Sequence, residues 1–223
     1  MRYTLREVVG KSDFRKFIEL PYRLYKNTPQ YVPNLRSDER SIFTNAPSLE
    51  YCKLKMWIVL DGKRVVGRVA GIINPRYNDL HNRECARFGR IEDIEIARLL
   101  LQGVEQWAKS EGMTQVHGPM GYNTWYKQGM LVSGFENTPP INCIWNFPYY
   151  PKFLNELGYQ KESDWIQYIL PAGQGVSIGT FSFSVRDGLG IYYNLEAYRE
   201  NTKNNMDNIW SLSEELNENE VQK

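Results

Sequence analysis

The sequence predicts an α/β (α+β) domain in which helices flank a mixed, mostly antiparallel sheet. Residues 53–60 and 64–73 have the alternation of two strands, and Asp61-Gly62 between them favours an antiparallel hairpin. Residues 88–120 have the pattern of a strand, a helix and a second strand, and such a crossover usually joins parallel strands. These two connections predict one antiparallel pair and one parallel pair of strands.

The helix of the crossover has the strongest pattern in the chain. Within residues 94–111 apolar side chains recur at the spacing that gives a helix one buried face. They are Ile96, Leu99, Leu100, Val104, Trp107 and Ala108. Gly112 then suits the residue just after a helix, and residues 114–118 suit the next strand. A phosphate-bearing ligand, if one binds, is expected at the helix N-terminus near Asp93.

The N-terminal part of the chain predicts a strand followed by a helix. Residues 2–9 alternate as a first strand, and Ser12 is a suitable N-cap for a helix that begins near Asp13. Pro21 should end or kink this helix, because proline lacks the backbone N–H and clashes with the preceding turn.

The connection between the hairpin and the crossover has two further signals. The strand at 64–73 contains Gly67 and Gly71, and a glycine inside a strand indicates a bulge or a close backbone approach. Residues 74–86 are polar and predict a loop, and residues 86–91 predict a third short strand.

A long irregular stretch follows the crossover. Residues 119–148 are rich in glycine and proline, and such a long loop is usually functional or specially packed. Residues 149–157 then predict a short helix ended by Gly158, and residues 164–170 predict a strand.

The composition changes near residue 172. We expect one domain over residues 1–171 and a β-prone extension over 172–199. Residues 200–223 form a polar, acidic tail that we expect to be flexible.

Composition narrows the classes of function. A formal net charge of +1 gives no electrostatic argument that the whole chain binds nucleic acid. The first third of the chain is basic, which could favour an anionic ligand or could reflect solvated helix faces. The three cysteines are widely spaced, which argues against a disulfide framework or a zinc knuckle. The chain also has no apolar window of membrane-spanning length, so we expect a reduced, cytoplasmic protein without a membrane partner.

Three stretches resemble the GNAT acyltransferase family, the N-acetyltransferases that use acyl-coenzyme A. The second and third strands of that family resemble the stretch DGKRVVGRVAGIIN. Its fourth strand, cofactor-side helix and fifth strand resemble the unit that begins with RFGRIED, continues through the helix and ends with TQVHGP. NFPYYPKFLNELGYQKESDW resembles the last helix and its ending. A narrower resemblance, to an uncharacterised bacterial GNAT-like group, covers residues 1–171 and is marked by PYRLYKNTPQYVPNLRSDE, GRVAGIIN and GMLVSGFEN followed by YYP.

The resemblance implies a sheet whose two parallel strands splay apart. It also implies that an acyl-coenzyme A thioester, either acetyl-coenzyme A or another, binds in the gap between them. Its pyrophosphate would lie on backbone amides at the N-terminus of the central helix. An amine, on a small molecule or a peptide, would attack the thioester, a base would remove the proton of the amine, and an acid would protonate the leaving thiolate.

The same resemblance implies a set of cofactor-binding residues around the fourth and fifth strands. They are Phe88, Gly89, Arg90, Ile91, Gly118 and Asn146. The family pattern Q/R-x-x-G-x-G/A is matched only at one glycine. Glu92 and Asp93 would repel a pyrophosphate, and Arg87 and Arg90 could offset that repulsion.

The candidate catalytic residues are Tyr150, His117 and Glu92. Many GNAT enzymes place a tyrosine acid four residues before the last glycine, where this chain has Leu154. Tyr150 lies about two turns before Gly158 and could serve as that acid, or could pack the helix against the sheet. His117, at the end of a strand, and Glu92 are the candidate bases, and a structural role for His117 remains open.

A second class of function stays open at this stage. The chain could be a non-catalytic GNAT-like module that acts through a protein partner or as part of a larger two-half protein. A homodimer is possible, and a stable one would favour this second class. Nucleic-acid binding has only the basic N-terminal third in its favour.

Overall fold

The computed structural model describes residues 2–89, 96–123, 125–139, 143–167 and 182–184. The chain forms two compact units, Met1–Gln160 and Lys161–Lys223. Among the described residues no helix has both the length and the apolar character needed to cross a membrane.

The first unit contains a five-stranded sheet in which the strands follow one another in chain order. The strands are β1 Tyr3–Glu7, β2 Lys53–Asp61, β3 Arg64–Ile73, β4 Cys85–Gly89 and β5 Gln115–His117. Neighbours from β1 to β4 are antiparallel, whereas β4 and β5 are parallel, with Cys85 opposite Gln115 and Arg87 opposite His117. This mixed sheet confirms the predicted fold class.

Within the described part of the chain, five α-helices accompany the sheet. They are α1 Lys11–Leu24, α2 Arg36–Thr44, α3 Pro75–His81, α4 Ala97–Ser110 and α5 Tyr150–Glu156. Helix α4 is the crossover between β4 and β5, and residues 94 and 95 of the helix predicted at 94–111 lie outside the described residues. Gly112 follows it with a φ of 80°, as expected for a residue that ends a helix.

Helix α4 packs on one face of the sheet through apolar side chains. Val69 and Phe88 of the sheet meet Leu100, Val104 and Trp107 of the helix in one buried cluster. The two glycines of β3 also face this helix. A methyl group built on Gly67 would lie 2.1 Å from Ile96 Cδ1, and one on Gly71 would lie 2.8 Å from the Trp107 ring. The predicted close approach at these glycines is therefore confirmed.

Helices α1 and α2 pack on the opposite face, where a buried ion pair joins the apolar contacts. Phe17 and Phe43 pack edge to face at 5.2 Å between ring centroids. Arg68 of β3 donates from Nη2 to Glu39 Oε1 of α2 at 3.1 Å. Both side chains are at most 3% exposed, so this pair is shielded from solvent.

Pro21 is predicted to end or kink α1, but it lies inside the helix, so the first of these two alternatives is wrong. The helix continues to Leu24 because another donor replaces the missing proline N–H. The carbonyl of Phe17, four residues earlier, accepts a hydrogen bond from Arg68 Nη1 at 2.8 Å. The predicted cap at Ser12 is also wrong, since the helix begins at Lys11 with Gly10 in the N-cap position.

The polar segment at 74–86 is not a loop throughout, because it contains α3. The Asn74 side chain caps this helix by accepting from the Tyr77 amide at 3.0 Å, and Pro75 occupies its first position. Both are known start signals of helices.

The second unit contains an antiparallel pair, β6 Trp165–Gln167 and β7 Ser182–Ser184. The first of these strands lies within the strand predicted at 164–170, and the second lies within the β-prone extension. The acidic tail at 200–223 lies outside the described residues. The boundaries of the predicted domains stay predictions.

Candidate functional site

The end of the parallel pair is the place where the structure brings several candidate residues together. Phe88 and Gly89 end β4, and His117 and Gly118 lie beside them at the end of β5. Ligands commonly bind beyond the carboxyl ends of parallel strands in open α/β sheets, so this edge is the natural site to consider. Arg90, Ile91 and Glu92 lie outside the described residues.

The two strands remain close beyond their ladder. Met120 donates its backbone N–H to the Phe88 carbonyl at 2.7 Å. A methyl group built on Gly118 would lie 2.3 Å from that same carbonyl oxygen, and one on Gly89 would lie 2.7 Å from the Met120 carbonyl oxygen. Only glycine permits this approach, which explains both glycines physically. The splaying of the strands remains a prediction for the residues beyond Gly89.

Arg87 holds the chain that follows β5. Its Nη1 donates to the carbonyls of Gly121 and Tyr122 at 3.1 and 2.9 Å, and Asn74 Nδ2 donates to the same Tyr122 carbonyl at 3.0 Å. The guanidinium lies 4.2 Å from the centre of the Tyr77 ring. Burial lowers the pKa of Arg87, but an arginine keeps its charge at any ordinary pH. Arg87 therefore serves the protein's own backbone instead of facing a pyrophosphate.

A cleft lies on the α2 side of the sheet beside this held segment. Its empty space, including the part open to solvent, is about 410 Å³. The lining side chains are mostly apolar and include Ile42, Phe43, Ala70, Ile72, Met120 and Tyr122. Gly89 reaches the cleft from β4, so the cleft adjoins the carboxyl end of that strand. Lys127 is the charged side chain among its described lining residues.

Tyr150 lies at the first position of α5 within a group of aromatic rings. Its hydroxyl oxygen is 3.3 Å from that of Tyr25, and both residues are 5% exposed. Tyr25 also stacks on Tyr31 and Phe147, with centroids 4.1 and 5.0 Å apart. The aromatic residues therefore pack with one another, and they join the end of α1 to the start of α5. Sequence patterns gave no sign that Tyr25 would lie beside Tyr150.

Asn146 is 4% exposed, and its amide is engaged by the protein. Its Oδ1 accepts from the Leu131 amide at 2.7 Å, and its Nδ2 donates to the carbonyls of Leu131 and Phe147 at 3.1 and 3.0 Å. These bonds use the carbonyl oxygen and both N–H groups of the side chain. Asn146 thus links two parts of the irregular stretch 119–148, at Leu131 and at Phe147. A ligand could bind the Asn146 amide only by replacing one of these bonds.

The other titratable candidates have different environments. His117 is half-buried at the last position of β5. Cys52 is 8% exposed, and burial raises the pKa of its thiol to about 11, so it is protonated at neutral pH. Among the residues that the structure describes, no three His, Cys, Asp or Glu side chains are grouped to hold a metal ion.

Two curated proteins are similar to this chain in sequence. Protein YghO of Escherichia coli (strain K12) is 26% identical over 171 residues, which are 73% of this chain and 44% of YghO. A bacterial ceramide synthase of Caulobacter vibrioides (strain NA1000 / CB15N) is 29% identical over 166 residues, which are 70% of this chain and 42% of the synthase. The chain thus spans less than half the length of either relative. No protein-family model matches the sequence.

Several solved structures are similar at low sequence identity. A tandem GNAT protein from the clavulanic acid biosynthesis pathway has a TM-score of 0.48 and 16% identity, over 78% of this chain and 53% of that protein. AAC(6')-Iy in complex with a bisubstrate analogue of coenzyme A has a TM-score of 0.44 and 14% identity, over 77% of this chain and all of that one. In its own strand order, its parallel pair and its crossover helix, the first unit of this protein has a GNAT-like fold.

Proposed function

We propose that the protein is an acyl-coenzyme A-dependent N-acyltransferase. The observation that carries this proposal is the alignment of 166 residues with a bacterial ceramide synthase. A ceramide is the amide of a fatty acid and a long-chain amino alcohol, so forming one from a thioester is acyl transfer to an amine. The GNAT-like sheet and the cleft beside the end of β4 support the same chemistry.

The acceptor that we propose is a long-chain amino alcohol. The lining of the cleft supports this choice, because its side chains are mostly aliphatic or aromatic and would contact the part of a hydrocarbon chain nearest the amine. Small-molecule and peptide amines without such a chain would bury less apolar surface there.

In the proposed reaction the amine nitrogen attacks the carbonyl carbon of the thioester, a C–N bond forms and the C–S bond breaks. A base takes the proton that the nitrogen loses, and an acid gives a proton to the leaving thiolate. We assign the acid role to Tyr150, whose hydroxyl lies beside that of Tyr25, and the base role to His117 or Glu92.

Acyl-coenzyme A would lie along the end of β4 in this proposal. Of the residues proposed to bind it, Gly89 lines the cleft and Gly118 lies against the Phe88 carbonyl, and Arg90 and Ile91 follow Gly89 in the chain. The Phe88 carbonyl and the Asn146 amide already have partners within the protein, so they would contribute only after those bonds were exchanged.

The test uses palmitoyl-coenzyme A with two amino alcohols, sphinganine and ethanolamine, and measures release of the coenzyme A thiol. We expect turnover with sphinganine and much less with ethanolamine, and a rise in melting temperature with palmitoyl-coenzyme A alone. Tyr150→Phe should lower kcat about 100-fold, the usual size of a general-acid contribution. No thermal shift and no thiol release, with either palmitoyl- or acetyl-coenzyme A, would contradict the proposal.

One observation favours a non-catalytic module as the second candidate. The Met120 amide donates a hydrogen bond to the Phe88 carbonyl, so the hydrogen-bonding edge of β4 is already paired at that residue. A protein without affinity for acyl-coenzyme A that nevertheless elutes as a stable complex with a second copy or another protein would support this alternative.

A further inference from the structure

We propose that Arg87 is a positioning residue of the acyl transfer, acting through the backbone that forms one wall of the cleft. This inference rests on the proposed N-acyltransferase function. Arg87 is 4% exposed in β4, and its Nη1 lies 3.1 and 2.9 Å from the carbonyl oxygens of Gly121 and Tyr122. Both carbonyls belong to residues that line the cleft.

The electrostatic surroundings of Arg87 are unusual for a buried cation. Among the described residues its recorded contacts are two backbone carbonyls and the face of the Tyr77 ring, and none of them is a carboxylate. Burying a guanidinium without an opposite charge is unfavourable, and an apolar side chain of similar volume would commonly be as stable or more stable. This arrangement is therefore explained better by what the guanidinium holds in place than by a gain in stability.

The held segment is attached to the sheet at several points. Met120 bonds to the Phe88 carbonyl at 2.7 Å, and Asn74 shares the Tyr122 carbonyl with Arg87. The wall is thus fixed relative to the end of β4, where the thioester would lie. Without Arg87, the part-buried Gly121 carbonyl would lose this donor and the buried Tyr122 carbonyl would keep only Asn74, so the segment would shift to reach water or another partner.

A displacement of this wall should affect acceptor binding more than the chemical step. Met120, Gly121 and Tyr122 line the cleft together with Ile42 and Phe43 of α2. The amine would still meet the thioester once bound, but the apolar chain would fit less well. The expected signature is therefore a higher KM for the long-chain acceptor with a smaller change in kcat.

The experiment compares Arg87→Met and Arg87→Lys with Arg23→Met in the full chain. Arg23 of α1 is a matched control, because its guanidinium also donates to a backbone carbonyl, that of Val65, but Val65 does not line the cleft. With palmitoyl-coenzyme A as donor, we expect R87M to raise the KM for sphinganine about tenfold, with kcat changed less than about threefold. R87K should recover part of the loss, since an ammonium group can still donate to one carbonyl. R23M should leave the KM unchanged.

Hydrogen–deuterium exchange supplies a second measurement that needs no substrate. The Met120 amide should exchange faster in R87M than in R23M, because only R87M releases the held segment. If R87M does not fold, Asn74→Ser removes the other donor to Tyr122 while keeping an oxygen that can cap α3, and it should act in the same direction.

The two hypotheses fail in different ways. Turnover by the wild-type protein together with an unchanged sphinganine KM in R87M would overturn the role of Arg87 alone. Equal protection of the Met120 amide in R87M and R23M would overturn it as well. A wild-type protein that releases no thiol would overturn the proposed function and, with it, this inference.

Discussion

Helices α4 and α2 both pack on the central sheet, but on opposite faces and through different contacts. Helix α4 approaches closely because Gly67 and Gly71 leave room for its side chains, and the contact is apolar. Helix α2 is joined to the sheet by the buried pair of Arg68 and Glu39 as well as by apolar contacts. The first face needs only the right pattern of side-chain sizes, whereas the second depends on particular partners. The cleft lies on the second face, so changes there should reach the proposed site more readily.

The largest effect is expected when one partner of the buried pair is removed. Arg68→Met leaves the Glu39 carboxylate buried without its cation and the Phe17 carbonyl without its donor. We expect the free energy of unfolding to fall by about 3–5 kcal/mol. Urea unfolding measures it, and the double variant Arg68→Met/Glu39→Leu should recover much of the loss. Equal losses in the single and double variants would show that the pair is not the cause.

A smaller loss is expected on the α4 face. Gly67→Ala places a methyl group 2.1 Å from the present position of Ile96 Cδ1, so the Ile96 side chain must move. Overpacking of this kind destabilises by about 1–3 kcal/mol. Ile96→Val removes the clashing atom, and the double variant should therefore be more stable than the sum of the single losses predicts. Strict additivity in urea unfolding would argue against this close approach.

Alkaline pH should distinguish the two faces through Cys52, which lies on the α2 side. Burial raises the pKa of its thiol in the folded protein from 9.0 to about 11. Between pH 9 and 11 the folded state therefore keeps a thiol proton that the unfolded state loses. The contribution of the protonated thiol to the free energy of unfolding is full below pH 9 and is lost as the pH rises from 9 to 11. Over that interval Cys52→Ala should lose about 1 kcal/mol less stability than the wild type. Parallel pH profiles of the two proteins would contradict this expectation.

The smallest effect is expected at an exposed ion pair, which serves as the reference for the buried one. Lys152 and Glu156 lie 4.0 Å apart on α5, and their side chains are 81% and 56% exposed. Lys152→Ala should change the free energy of unfolding by less than about 0.5 kcal/mol, because water and salt screen the pair. If Lys152→Ala lowered the free energy of unfolding as much as Arg68→Met does, the difference in solvent exposure would not explain the different stabilities of the two ion pairs.

The apolar architecture could be read from the sequence, since it follows from periodicity. The hairpin of β2 and β3 and the buried face of α4 both repeat at fixed spacings, and Asp61-Gly62 indicates the turn. Helix α3 could have been found as well, because Asn74 and Pro75 are start signals, but its polar residues favoured a loop. Helix α2, with few apolar residues, had no such pattern.

The polar contacts near the candidate site could not be predicted in the same way. Arg87 meets carbonyls 34 and 35 positions later in the chain, and Arg68 meets a carboxylate 29 positions earlier. The sequence pattern around a charged residue in a strand does not show whether that residue is buried with a partner or exposed to solvent. The roles proposed for Tyr150, His117 and Glu92 and the expected cytoplasmic location stay predictions.

The hydrogen bond between Arg68 and the Phe17 carbonyl has a consequence for how related chains should vary. Pro21 makes that carbonyl available by removing the amide that would otherwise bond to it within α1. Where Arg68 is replaced by a side chain that cannot donate, a proline at position 21 would leave a buried acceptor unmet. Positions 21 and 68 are therefore expected to covary, although one lies in a helix and the other in a strand.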